Sequence, residues 1–133
     1  MLMNYSVASA SEVVCLVDDD PAVLTSIRRL LASERLAVRT FNDPSSFLQH
    51  VEQQYVPVAV LDVWMERMTG LELQAKLAKA SPRTRVIMMT GRRDPGVEQT
   101  AREYGASAFF TKPFDDEEFL NAVRRALACD GSA

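Results

Sequence analysis

Histidine, cysteine and glycine are scarce in this chain of 133 residues, which has one His, two Cys and five Gly. The single histidine, His50, leaves no set of imidazoles from which to build a metal centre, and Cys15 and Cys129 have neither a CxxC nor a metal-ligand spacing. The thiols therefore read as one core and one surface group, and His50, on a predicted helix away from the acidic residues described below, as a surface residue. No apolar run approaches the ~20 residues of a membrane span, so no membrane attachment is expected. The net charge of −3 offers no basic face, and no direct nucleic-acid binding by this chain is expected. The opening MLMNYSVASASE lacks a basic leader followed by a hydrophobic block. Residues 1–11 read as an N-terminal extension rather than a secretory signal, and a cytoplasmic location is expected.

What is present is the make-up of an ordinary globular domain, 47% hydrophobic and 25% charged. A chain of this length buries about two-thirds of the surface its unfolded form exposes and needs no staples.

Four short apolar runs and one mixed stretch, Val38 to Phe41, punctuate the chain, and each stops at polar residues. Val13 to Val17 halts at Asp18, Asp19, Asp20, Pro21; Asp20 caps a predicted helix in which Val23, Leu24, Ile27, Leu30 and Leu31 recur at helical spacing. Val38 to Phe41 is a second strand, followed by a helix begun by Asn42, Asp43, Pro44. Val58 to Leu61 ends in Asp62, and Gly70 opens a helix broken at Ser81, Pro82. Val86 to Met89 ends in Thr90, Gly91; Asp94, Pro95 start the next helix, and Gly105 after Tyr104 suits its C-terminal cap. Ala108 to Phe110 ends in Thr111, Lys112, Pro113, and the last helix begins near Asp115, with Glu118 placed for a capping box.

Strands alternating with helices in this way predict βα units, hence a five-stranded parallel sheet with helices on both faces. In such a sheet ligands bind at the C-terminal strand ends. Asp18, Asp19, Asp62, Thr90 and Lys112 all stand there, so folding gathers them at one edge.

Three carboxylates at one edge repel one another unless a cation is present. Mg²⁺ suits the set, because it takes a few carboxylate oxygens, some water and a substrate phosphate; Mn²⁺ is an admissible substitute. Lys112 supplies a mobile positive charge and Thr90 a hydroxyl for the remaining oxygens of a phosphoryl group. A carboxylate beside such an ion can act as nucleophile and form an aspartyl phosphate.

The run VDDDP, the segment LDVWMERMTGLEL, the strand end MMTG and the run FFTKPF resemble, in order and spacing, the receiver domain of bacterial two-component response regulators. The segments LELQAKLA and FDDEEFLNAVRRAL look most like the FixJ group of transcriptional regulators. The resemblance implies a flavodoxin-like (βα)5 receiver of the CheY type over residues 12–128, with 129–133 a tail or the start of a linker. It makes Asp62 the phosphoacceptor, serving a sensor histidine kinase in a Mg²⁺-dependent reaction. Asp18, Asp19, Asp62 and the backbone carbonyl of Trp64 become the metal ligands. Thr90 and Lys112 contact the phosphoryl group, Thr90 and Phe109 form the switch pair, and the Lys112 to Pro113 bond is cis. The surface of the fourth helix, fifth strand and fifth helix changes its partner preference, with homodimerisation one outcome. The whole is a signalling switch rather than an enzyme, and the regulatory part of a transcriptional regulator.

Two positions depart from the family pattern. Glu66 stands where proline is usual, so the loop after Asp62 is expected to lose a rigid residue and to gain a carboxylate near the metal site. Trp64 is bulkier than most residues at its position and is expected to shield an acyl phosphate from water. Against the switch stand two other readings. In one, a degenerate pseudo-receiver acts as a phosphorylation-independent binding module. In the other, a phosphohydrolase of the haloacid dehalogenase type is opposed by Ala22, where that pattern needs Thr or Val. No helix-turn-helix follows the last predicted helix, which leaves a stand-alone receiver and a piece of a longer regulator both open.

Overall fold

The computed structural model describes residues 13–131, and the expected N-terminal extension lies outside them. Ten elements alternate strictly: β1 (Val14–Val17), α1 (Pro21–Ser33), β2 (Val38–Phe41), α2 (Pro44–Gln53), β3 (Val58–Asp62), α3 (Gly70–Ala80), β4 (Arg85–Thr90), α4 (Pro95–Glu103), β5 (Ala108–Thr111) and α5 (Asp116–Gly131). All the strand pairings are parallel, in the order β2-β1-β3-β4-β5. From β1 the chain passes outward to β2, whereas β3 lies on β1's other side. The resulting crevice between β1 and β3 is where open sheets of this order bind ligands.

Helix starts follow local chemistry. Asp20, Asp43 and Asp94 each accept hydrogen bonds from the first-turn amides of a helix whose first residue is proline, an arrangement in which the cap contributes about 1 kcal/mol. At Asp115 the side chain accepts from the Glu118 amide, which is the backbone half of the expected box. Thr69 and Glu72 complete a box in both directions at the start of α3. Helix α4 is capped at its C-terminus by Tyr104, and Gly105 takes φ 101°, where a Cβ would be strained. Helix α5 continues to Gly131, beyond the Ala128 expected as the receiver's last residue.

The period of two along each strand divides the core. Val14, Leu16, Val58, Val60, Ile87 and Met89 pack against Leu24, Ile27 and Leu31 of α1 and Phe119, Leu120 and Val123 of α5. Cys15, Val17, Ala59, Leu61 and Met88 pack the other way, against Phe47 of α2, Leu73 and Leu77 of α3 and Ala101 of α4. Both faces being covered, the central strands are apolar throughout. Cys15 is the core thiol expected, its pKa pushed up to about 12 by burial. His50 is half-buried, its ring 5.3 Å from that of Phe41.

Candidate functional site

Register decides which polar residues meet. Val17 pairs with Leu61, so Asp18 follows β1 at the level where Asp62 ends β3. By alternation from Leu16, Val60 and Phe110, the residues Asp18, Asp62 and Lys112 fall on the α1–α5 face, and Thr90 falls on the other. The structure accordingly brings Lys112 Nζ to 3.2 Å from Asp18 Oδ2 and 3.3 Å from Asp62 Oδ1. Asp18 and Asp62 are 1% and 5% exposed, while Asp19 is open to solvent.

One ammonium does not neutralise this set. Burial raises the Asp62 carboxyl pKa to about 6, with Asp18's charge adding to the rise and Lys112 opposing it. Asp18 is raised too, by burial above all, against the Asp20 amide and Lys112, which favour its charged form. Burial works against the Lys112 ammonium, but Asp18 and Asp62 outweigh it and the net shift is upward. Asp18, Asp19 and Asp62 each offer an oxygen within 4.8 Å of the others. Hard oxygen donors with an excess of negative charge fit a small divalent cation such as Mg²⁺.

The remaining expected residues surround this centre without all joining it. Thr90, the last residue of β4, is fully buried, and its hydroxyl is occupied locally: it donates to the Arg92 carbonyl at 3.0 Å and accepts from the Arg92 amide at 3.1 Å. Phe109, in β5, is half-buried and packs on the α2–α4 side of the core. Trp64 is 39% exposed, with the Arg92 guanidinium 4.5 Å from its ring centroid. The Lys112 to Pro113 bond is cis.

Three features of the site were not read from the sequence. Arg92 stacks on Trp64, and no sequence signal announces it. The Glu66 amide donates to Asp19 Oδ2 at 3.0 Å, and its only sequence trace is that residue 66 is not proline. Gly70 permits close approach: a Cβ there would lie 2.3 Å from the Asp62 carbonyl oxygen. The cue was a glycine opening the helix after the acidic strand end.

Comparison with known proteins decides the family, since residues 14–124 match the response regulator receiver domain. This chain belongs to that family. The receiver is similar to the response regulator protein TmoT of Ectopseudomonas mendocina, with 40% identity over 115 residues, 86% of this chain and 52% of the relative. It is also similar to the transcriptional regulatory protein FixJ of Azorhizobium caulinodans, with 38% identity over 114 residues, 86% of this chain and 54% of the relative. It thus spans about half the length of these curated relatives. A CheY-like response regulator receiver domain protein from Methanospirillum hungatei matches it with a TM-score of 0.85 at 26% identity, over 91% of this chain and 97% of that one. The flavodoxin-like (βα)5 receiver fold is therefore the fold of this chain, and receivers of this family are signalling switches. Among the described residues no helix is long and apolar enough to cross a membrane.

Proposed function

We propose that this receiver, over residues 12–128, accepts a phosphoryl group on Asp62 from the phosphohistidine of a sensor histidine kinase, in a Mg²⁺-dependent reaction. The observation that carries the reading is the convergence of Lys112 on both Asp18 and Asp62, two buried carboxylates left with excess negative charge. Asp18, Asp19, Asp62 and the Trp64 carbonyl would hold the ion. When bound, Mg²⁺ supplies positive charge that offsets carboxylate repulsion and the charge of an incoming phosphoryl group.

With its pKa at about 6, Asp62 is mostly ionised at neutral pH and available as a nucleophile. Its oxygen attacks phosphorus in line with the donor nitrogen; the P–O bond forms as the P–N bond breaks, and the donor imidazole leaves with the electron pair. Lys112, already beside the Asp62 carboxylate, donates to a phosphoryl oxygen carried there. Thr90 gives up its bonds to the Arg92 backbone to donate to the same group. Phe109 then turns into the space beside Thr90, and the face of α4, β5 and α5 changes its preference for partners, including a second copy of the chain. Trp64 shields the acyl phosphate from water.

The relatives span about twice this length, and one is named a transcriptional regulatory protein. The receiver fits as the regulatory part of such a protein, in the cytoplasm, with DNA contact left to another domain. Beryllofluoride, which mimics a phosphoryl group on a carboxylate, tests the switch. With Mg²⁺ present, amide shifts are expected at Asp62, Thr90 and Phe109 and along α4; an unchanged spectrum at saturating reagent contradicts the reading.

A further inference from the structure

Asp19 differs from its two acidic neighbours in how it is held. Asp62 and Asp18 are buried, and both are bonded by Lys112. Asp19 is exposed and is bonded by a main-chain amide far along the chain: Glu66 N–H donates to Asp19 Oδ2 at 3.0 Å. Glu66 lies in the stretch between β3 and α3 that also carries Trp64. That stretch is fixed at its other end by Gly70 N–H on the Val63 carbonyl, at 2.7 Å. One hydrogen bond thus ties the β1–α1 turn to the β3–α3 loop, and with it two groups that the proposed function assigns to the cation, the Asp19 carboxylate and the Trp64 carbonyl.

We infer that Glu66 is a positioning residue acting through its main-chain amide, which holds Asp19 and the β3–α3 loop ready for a divalent cation. The inference rests on the reading of Asp18, Asp19 and Asp62 as a Mg²⁺ site. An exposed carboxylate left untied samples several rotamers, and binding must then pay for ordering both it and the loop. The bond also draws charge from one Asp19 oxygen, but it engages that oxygen alone and leaves the other available to ligate. Preorganisation therefore dominates. The side chain of Glu66 takes no part: any residue with an amide hydrogen serves, and only proline cannot.

The test is Mg²⁺ affinity without a phosphodonor, read by fluorescence of Trp64, the chain's one tryptophan, on the whole chain. Glu66→Pro should weaken binding about three- to tenfold, the range set by one ordered side chain and a charged hydrogen bond near the surface. Glu66→Ala, which keeps the amide, should stay within about twofold. In an Asp19→Ala background Glu66→Pro should cost nothing further, because its effect passes through Asp19. Unchanged affinity in Glu66→Pro, an equal loss in Glu66→Ala, or a full additional loss in the Asp19→Ala background overturns the inference. A parent protein that shows no Mg²⁺ response overturns the metal-site reading along with it. A parent that binds normally while Glu66→Pro matches it overturns the inference alone. As a metal-free check, the Glu66 amide proton should move upfield in Asp19→Ala; an unmoved resonance counts against the hydrogen bond itself.

Discussion

A Cβ at residue 70 would stand 2.3 Å from the carbonyl oxygen of Asp62, so the first turn of α3 rests directly on the end of the strand that carries the central carboxylate. The neighbouring Asp62 carbonyl carbon and Met88 Cε, each at 2.9 Å, close the same space.

Gly70→Ala is therefore expected to push α3 off β3. Two of the three opposing atoms are backbone and yield little, so the cost should be about 1–3 kcal/mol, as for other overpacked sites. A lower urea midpoint with an unchanged slope, together with slower phosphoryl uptake, is the expected result. A variant as stable as the parent would show that the helix can slide at no cost.

The metal-free protein should be destabilised by its own Asp62 at neutral pH. The carboxyl has an ordinary value of 3.8 and sits at about 6 in the fold, so the folded state binds this proton more tightly than the unfolded chain. Its stabilising contribution is complete below about pH 4 and is lost as pH rises through about 6. Asp62→Asn should then be more stable than the metal-free parent at neutral pH by about 1–3 kcal/mol, with the advantage gone in mild acid. Urea unfolding at the two pH values, without Mg²⁺, checks the sign; a constant difference would place its origin elsewhere.

Trp64→Ala should shorten the life of the acyl phosphate several-fold. The indole lies two residues beyond Asp62 and is steadied by the Arg92 guanidinium 4.5 Å from its ring centroid, a contact contributing about 0.5–1 kcal/mol at an exposed position. Decay followed by mass spectrometry after removal of the phosphodonor measures it. Loss no faster than in the parent argues against shielding.

Thr90→Ala should separate chemistry from signal. Asp62 is still phosphorylated, because Lys112 reaches it independently of Thr90. The amide shifts along α4 and at Phe109 that accompany activation should shrink, since no hydroxyl leaves Arg92 for the phosphoryl group. Full-sized shifts in this variant would remove Thr90 from the switch.

Where chemistry is local in the chain, the sequence was readable. Asp20-Pro21, Asp43-Pro44 and Asp94-Pro95 announce helix starts because cap and first residue are adjacent, and the structure has helices beginning at each proline. The apolar runs end where the strands end, which places Asp18, Asp62, Thr90 and Lys112 at one edge. Legibility ends where contact depends on distant backbone. The Glu66 amide meets Asp19 across 47 positions, and Arg92 reaches Trp64 between two separate loops. Gln74 reads as a polar position on α3, yet it is buried and donates to the Ala101 carbonyl of α4 at 3.0 Å, a bond that periodicity cannot foresee. Thr69 and Glu72 share the spacing of Asp115 and Glu118, and the structure closes a box in both directions at Thr69.

The most direct measurement is intact mass after incubation with acetyl phosphate, with and without Mg²⁺, beside Asp62→Ala. A gain of one phosphoryl group that needs Mg²⁺ and disappears in Asp62→Ala is the predicted result. No gain in the parent, or an equal gain in Asp62→Ala, contradicts phosphoryl acceptance on Asp62; the first outcome returns the chain to a phosphorylation-independent binding module.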